Sequence, residues 1–184
     1  MGIPTLISTA TASGAANVSI TSGIDSTYDE YMFVCIDINM SAAGTNFEFQ
    51  INVAGESGYN DSNITSTFFS ASHNENDSGT PAVSYNTGGD IAQGTGYQSL
   101  YRDSENDADA SWSGILHLFS PADTTYVKHF YSRGCGMSNG DSGNALAQDF
   151  FAAGYINVTG AVDEIQFASA SGTFDGVIQM YGIA

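Results

Sequence analysis

The chain has 184 residues, of which 20 are acidic and three are basic, so its formal net charge is −17 at pH 7. Nucleic acids and anionic bilayers bind clustered cations, so this balance argues against both as partners. Apolar residues make up 42 % of the chain, enough for a folded core, and the length suits a single domain over residues 1–184. Such an acidic surface suits a saline medium, because salt shortens the range over which its carboxylates repel one another.

Strand signals dominate the chain, because β-branched, aromatic, Ser and Gly residues outnumber good helix formers. The clearest alternation is NFEFQINV at 46–53, where apolar and polar side chains fall on opposite faces. The predicted strands, in chain order, are TLISTAT (5–11), NVSI (17–20), YMFVCIDIN (31–39), NFEFQINV (46–53), STFFSAS (66–72), AVSYN (82–86), GILHLFS (114–120), YVKHFYS (126–132), FFAAGYIN (150–157), EIQFASAS (164–171) and GVIQMYGI (176–183). Short strands joined by polar turns predict an all-β fold, an antiparallel, jelly-roll-like β-sandwich, with a closed barrel as the alternative.

The two C-terminal strands are predicted to form an antiparallel pair, joined by a tight connection from Gly172 through Gly176. Apolar residues occupy both faces of 176–183, which predicts a strand in the middle of a sheet with side chains covered on both sides. A terminus of this kind is expected to close the sandwich rather than trail from it.

The two cysteines are Cys35, inside an apolar strand, and Cys135, in the segment RGCGMSNG. Free thiols are the favoured interpretation, and a disulfide between them is the alternative. The first 20 residues lack a basic region followed by a long apolar stretch, so they do not read as a secretory signal. No apolar stretch of the sequence is close to the length that a membrane-spanning helix needs.

The motif GDSGN at 140–144 matches the nucleophile region of chymotrypsin-like serine proteases. His73 and Asp103 precede Ser142 in the order that this family uses, and such a triad needs a base, an orienting carboxylate and an oxyanion hole. In a chain rich in Gly, Ser and Asp, the sequence GDSG arises readily by chance. His73 also lies in a polar turn and lacks the residues that surround the catalytic histidine in this family. We therefore expect no catalytic residues.

The acidic segment DSENDADAS at 103–111 is the best candidate for a metal site, because hard oxygen ligands suit calcium. The EF-hand pattern fails, since Ala108 stands at its glycine position and Gly114 at its bidentate glutamate position. A weak surface Ca²⁺ site and a solvated acidic loop are the two interpretations, and no other cofactor is expected. The candidate ligands are Asp103, Glu105, Asp107 and Asp109.

The histidines are not predicted to bind zinc. His117 and His129 lie inside predicted strands with aromatic neighbours, and no third ligand follows at a suitable spacing. Structural histidines with hydrogen-bond partners are expected instead.

Several segments together resemble a family of structural proteins of tailed bacteriophages that is abundant in marine phages. The resemblance covers nearly the full length, and its most characteristic parts are YDEYMF, LHLFSP, AVDEIQF and the closing SGTFDGVIQMYGI. It implies a non-enzymatic component of the virion, assembled in the cytoplasm of a bacterial host. The family carries no catalytic residues to transfer to this chain.

Two functions follow from this resemblance. The first is a capsid decoration or cement protein that docks on the lattice of the major capsid protein, as a homo-oligomer with a trimer favoured. The alternative is a tail-associated or fibre module with lectin-like carbohydrate contact. Because the chain has so few cations, its interface is expected to use strand edges and aromatic patches rather than charge. The alternative is a partner that supplies a basic patch to meet the acidic surface.

Overall fold

The computed structural model describes residues 2–59, 62–139 and 145–184. These residues contain thirteen β-strands and no helix, and a search of them finds no helix suited to crossing a membrane. The strands are β1 Thr5–Ala15, β2 Asn17–Ile20, β3 Glu30–Met40, β4 Phe47–Val53, β5 Ile64–Asn74, β6 Ala82–Tyr85, β7 Ala92–Gly94, β8 Gln98–Tyr101, β9 Trp112–Phe119, β10 Lys128–Asn139, β11 Ala145–Ile156, β12 Val162–Ser169 and β13 Phe174–Ile183. Each predicted strand has a counterpart; β7 and β8, of three and four residues, were not predicted.

The strands form two antiparallel sheets. The large sheet has the order β1-β13-β3-β9-β10-β11-β5-β6, with β7 pairing with one end of β5, and the small sheet has the order β2-β12-β4-β8. Four consecutive pairs, β1–β2, β3–β4, β8–β9 and β12–β13, pass from one sheet to the other and keep the same order in both sheets. This rolled arrangement of paired ribbons is that of a jelly roll. The predicted β-sandwich is therefore confirmed, and the closed barrel is not formed.

The core between the sheets is dominated by aromatic rings. Phe47 of the small sheet is fully buried, and its ring centroid lies 5.8 Å from that of Trp112 and 5.1 Å from that of Phe174 in the large sheet. Phe49 meets Phe130 across the same gap at 5.2 Å, edge to face. Burying each such ring stabilises the fold by roughly 1.5–3 kcal/mol. These contacts explain why the alternating apolar residues of 46–53 point inward.

Trp112 fits the core because its own strand, β9, and the adjacent strand β10 both carry a glycine beneath its indole. An ideal Cβ at Gly114 would lie 2.3 Å from Trp112 Cζ2, and one at Gly134 would lie 2.4 Å from the same atom. Gly114 and Gly134 are cross-strand partners on β9 and β10. The missing side chains therefore create the space that the largest side chain of the core occupies.

The C-terminal strand lies in the middle of the large sheet, as predicted, between β1 and β3. The predicted pairing of the last two strands is wrong, because β12 belongs to the small sheet and pairs with β2 and β4. The connection at 170–173 instead crosses between sheets and is fastened to Ser41, which both donates to and accepts from Thr173 at 2.9 Å.

The faces of β13 also differ from expectation. Ile178 and Met180 point into the core and are fully buried, whereas Gln179 and Tyr181, on the opposite face, are partly exposed. The predicted cover on both faces is wrong, because β13 is buried on its inner face and half-covered on its outer face.

Candidate functional site

The residues of the proposed protease triad are not seen as a triad. His73 lies on β5, and its Nε2 is 3.4 Å from Asp77 Oδ1, so its carboxylate partner is Asp77 rather than Asp103. Ser142 and the rest of GDSGN at 140–144 lie outside the described residues. The protease alternative therefore stays untested.

The acidic segment 103–111 is fastened by its backbone rather than by its carboxylates. The carbonyl of Asp103 accepts a hydrogen bond from the Asn139 amide at 2.6 Å. The carbonyl of Asp107 accepts hydrogen bonds from the Ala110 amide at 3.0 Å and from Asn39 Nδ2 at 2.9 Å. Asp103, Asp107 and Asp109 are exposed and Glu105 is half-buried. In the described ranges, no three His, Cys, Asp or Glu side chains gather as a metal site would require, and calcium binding at this segment stays a prediction.

Both cysteines are free, in agreement with the favoured interpretation. Cys35 points into the core, and its burial raises the pKa of its thiol well above the usual range. Cys135 is exposed on the opposite side of the large sheet. Because alternate strand residues point to opposite faces, the two thiols are separated by the sheet itself.

His117 is a structural histidine, as expected. Its Nδ1 is hydrogen-bonded to Glu30 Oε1 on the neighbouring strand β3, and its ring stacks on Tyr131 with a centroid distance of 4.4 Å. Phe119 lies beside both rings, 5.8 Å from Tyr131. The histidine thus helps to build an aromatic cluster on the solvent side of the large sheet.

The most distinctive surface of the molecule is this solvent side of the large sheet, which we call the outer face. In the described part of the chain, nine large hydrophobic side chains are exposed, and seven of them lie on strands of this sheet with their side chains outward. Soluble proteins seldom gather exposed apolar groups into one patch without a use for it. The seven are Leu6, Ile36, Phe69, Val83, Tyr85, Ile115 and Tyr131.

Strand register arranges these side chains in rows across the sheet. In antiparallel sheets, residues directly opposite one another place their side chains on the same face. The central row contains, in order from β3 to β6, Val34, Ile115, Arg133, Phe151, Phe69 and Tyr85. The sequence alternation predicted individual strands but could not show that six of them align their outward residues in one row.

Phe151 is the best-packed member of this row. Its ring stacks on Phe69 with a centroid distance of 4.6 Å and an angle of 7°. The Arg133 guanidinium lies 4.8 Å from the Phe151 ring centroid, and Arg133 also forms an ion pair with Asp149 at 2.9 Å. Rings stacked on neighbours in this way turn their edges to solvent, which suits packing against another protein better than stacking on a sugar ring.

The charge distribution sets the outer face apart from the rest of this acidic molecule. The five adjacent strands β9, β10, β11, β5 and β6 contain one of the 20 acidic residues, Asp149, and it is paired with Arg133. All three histidines of the chain lie on these strands, and each points outward. These five strands are therefore close to neutral, and the outward Glu30 of the neighbouring strand β3 is hydrogen-bonded to His117, so another acidic body can approach this part of the outer face at little electrostatic cost.

The outer side of the small sheet is polar and covered by loops, which the sequence did not reveal. Gln50 is fully buried there, and its Nε2 donates to the carbonyls of Ser62, Thr95 and Gly96, each at 3.2 Å. Burial raises the pKa of the neighbouring Glu48 to about 7, against the opposing effect of Arg102. The hydrogen bonds of this polar layer serve the fold, since they fasten the covering loops.

Comparison with known protein families, with curated proteins and with solved structures finds no match for this chain.

Proposed function

We propose that this protein is a non-enzymatic structural component of a bacteriophage virion, a decoration protein that docks on the capsid through its outer face. The observation that carries the proposal is the row from Val34 to Tyr85 across six strands, with its exposed apolar side chains and paired charges. The sequence resemblance to phage structural proteins supports the choice of partner, and the jelly-roll fold is compatible with it, although a fold alone does not define a function.

The size of the outer face is adequate for docking. Five strands with about seven residues each and the four-residue strand β6, at about 4.8 Å between strands and about 3.4 Å per residue, cover roughly 600 Å². Stable protein interfaces bury about 800 Å² on each partner, and weaker or repeated contacts bury less. A decoration protein is held by such a face at each lattice position, with the loops around it supplying a polar rim.

Charge supports the same orientation. The strands β9, β10, β11, β5 and β6 carry one paired carboxylate, so this part of the outer face turns toward the particle, and most of the remaining carboxylates turn toward solvent. A strongly acidic exterior keeps particles apart, because like charges repel within the screening length. Docking driven by apolar contact is expected to depend weakly on salt, so release of the protein from particles should change little between low and high ionic strength.

The location of the protein tests the proposal directly. Gold-labelled antibody against the protein, with mass spectrometry of purified particles, is expected to show labelling on the capsid and hundreds of copies. Labelling confined to the tail, at about a dozen copies, would favour the tail-associated alternative. Absence of the protein from particles would refute both.

Substitutions on the outer face test how the protein docks. Ile115→Ser and Tyr85→Ser alter exposed side chains of the central row and should leave folding intact while weakening binding to capsids that lack the protein. Tyr126→Ser is the matched control, since Tyr126 is 71 % exposed and lies on a loop away from the row. Equal binding by all three variants would rule out the outer face as the docking surface.

The carbohydrate alternative rests on a different place in the fold. A groove at one end of the large sheet is lined by Phe119, Asp123, Tyr126 and His129. It combines an exposed aromatic ring with polar groups, as sugar sites do. Glycan-array binding that is lost in Tyr126→Ser would support this function, and an array with no bound sugar would count against it.

A further inference from the structure

The edge strand β1 presents a surface that the docking proposal does not use. β1 is the first strand of the large sheet and hydrogen-bonds to β13 on one side. On its other side, no strand pairs with it among the residues that the structure describes. Unpaired N–H and C=O groups along an edge are a template for another strand, so proteins usually protect such edges.

The usual protection is weak at this edge. Residues 2–24 contain no charged side chain, whereas edge strands are commonly blocked by lysine or by other charges. Two register shifts, between Leu6 and Ser8 and between Ala12 and Ala15, disturb the ends of β1. The segment Ser8–Ala12 between them keeps an unbroken ladder with β13 and is therefore the part able to accept a partner strand.

The other edges of the two sheets are less suited to pairing. The edge strands β2, β6 and β8 each have four residues, and β7 has three. Close to β6, Tyr85 hydrogen-bonds to Asp90 at 2.5 Å, and Asp77 lies in the turn before this strand. An approaching acidic chain meets carboxylates there, whereas the carboxylate bonded to β1, that of Asp175, lies at Gly14, outside the segment Ser8–Ala12.

We infer that the occupant of this edge is a second copy of the chain, with Ser8–Ala12 of the two protomers paired antiparallel about a two-fold axis. Two-fold pairing is the commonest symmetry of protein oligomers, and it lets one surface serve both partners. The large sheet then continues from one protomer into the other. This inference does not depend on the capsid proposal, because it concerns a different surface.

Electrostatics favours the antiparallel arrangement. The carboxylate fastened to β1 is Asp175, whose Oδ1 accepts a hydrogen bond from the Gly14 amide at 2.7 Å. With the axis at Ala10, Gly14 is four residues from it, so the two copies of Asp175 are separated by about 27 Å at about 3.4 Å per residue. That is roughly three screening lengths at physiological salt. A parallel arrangement would bring the two carboxylates side by side.

The symmetry has a consequence for docking. An axis perpendicular to a continuous sheet places both outer faces on the same side of the dimer. Two docking faces then engage a lattice together, which strengthens attachment without new contacts if their spacing matches the lattice.

A charge placed at the axis tests the inference. Thr9 is exposed and lies next to Ala10, so Thr9→Lys brings two ammonium groups together in the dimer while lowering the net negative charge of each chain. Thr124→Lys, in an exposed loop, makes the same change in net charge and is the control. If general repulsion governed association, both variants would associate more tightly than the wild type.

Sedimentation equilibrium at 0.15 M salt is the measurement. The wild type and Thr124→Lys are expected at twice the chain mass of 19.3 kDa, and Thr9→Lys should raise the dimer dissociation constant at least tenfold. A wild type that stays at the chain mass at high concentration, a mass of three chains, or equal association of Thr9→Lys would overturn the inference. Hydrogen exchange on the wild type gives a check without substitution: amides within Ser8–Ala12 should gain protection as concentration rises, and unchanged exchange would refute the pairing.

Discussion

The substitution Gly134→Ala tests the account of the core most sharply. An added Cβ would lie 2.4 Å from Trp112 Cζ2, 2.5 Å from Trp112 Cε2 and 2.7 Å from the Gly114 Cα. Carbon atoms in contact are normally about 3.5–4.0 Å apart, so the overlap is about 1 Å. The indole has no free space to move into, because it is fully buried and its neighbour rings, Tyr101 at 6.1 Å and Phe47 at 5.8 Å, are buried as well.

Overpacking of this kind costs about 1–3 kcal/mol. In a domain of this size, each kcal/mol lowers the melting temperature by about 2–4 °C, so a decrease of about 2–12 °C is expected. Thermal unfolding followed by circular dichroism measures it. Gly96→Ala is the control, since no atom lies within 4 Å of its added Cβ, and its melting temperature should stay close to that of the wild type.

A double-mutant cycle separates this clash from a general effect on the strand. In the background Trp112→Phe, the two indole atoms that the new Cβ would meet are gone, while the contact with the Gly114 Cα remains. Gly134→Ala should therefore cost about 1 kcal/mol less in that background, as expected for directly contacting residues. The reasoning is refuted if Gly134→Ala lowers stability equally in both backgrounds, or if it is as well tolerated as Gly96→Ala.

Three further predictions concern other parts of the fold. Burial raises the pKa of Glu48 from 4.5 to about 7, so protonated Glu48 stabilises the fold below pH 4.5, and this stabilisation is lost as the pH rises through 7. The urea midpoint of unfolding should therefore decrease more between pH 5 and pH 8 in the wild type than in Glu48→Gln. Equal decreases in the two proteins would contradict this. Lys128 is 1 % exposed and its Nζ donates to the carbonyls of Asp123 and Tyr126, so Lys128→Met should cost about 1–3 kcal/mol in thermal unfolding because those carbonyls lose their donor; an unchanged melting temperature would count against it. Deletion of residues 176–184 removes most of a strand that lies between β1 and β3 and should abolish soluble folding, whereas a folded truncated protein by circular dichroism would show that this strand is dispensable.

Local sequence patterns were sufficient to predict most of the strands. Each predicted strand has a counterpart, and the inward face of 46–53 is the one that its alternation indicated. Pairing was harder, because a strand's pattern shows which side is apolar but not which neighbour it meets. EIQFASAS and GVIQMYGI are adjacent in sequence and lie in different sheets, since the jelly-roll connection crosses the sandwich where a hairpin was predicted.

The candidate site shows the same limit. Phe69, Arg133 and Phe151 are far apart in sequence, and no motif links them; only their register across β5, β11 and β10 stacks them. The sequence predicted an interface of aromatic patches and strand edges rather than of charge, because the chain has three basic residues, and this stays a prediction. It could not indicate that five adjacent strands of the large sheet, β9, β10, β11, β5 and β6, would share a single acidic residue.

The sequence by itself determined the all-β class, the positions of eleven of the thirteen described strands, the acidic character and the inward face of 46–53, because these depend on composition and on a two-residue period along one segment. Tertiary structure decided the strand order, the crossing of β12 to β13 between sheets, the glycine space beneath Trp112, the outer face and the open edge at β1. Each of these depends on register between segments distant in the chain, and register is set by the packing of the whole sandwich rather than by any one strand.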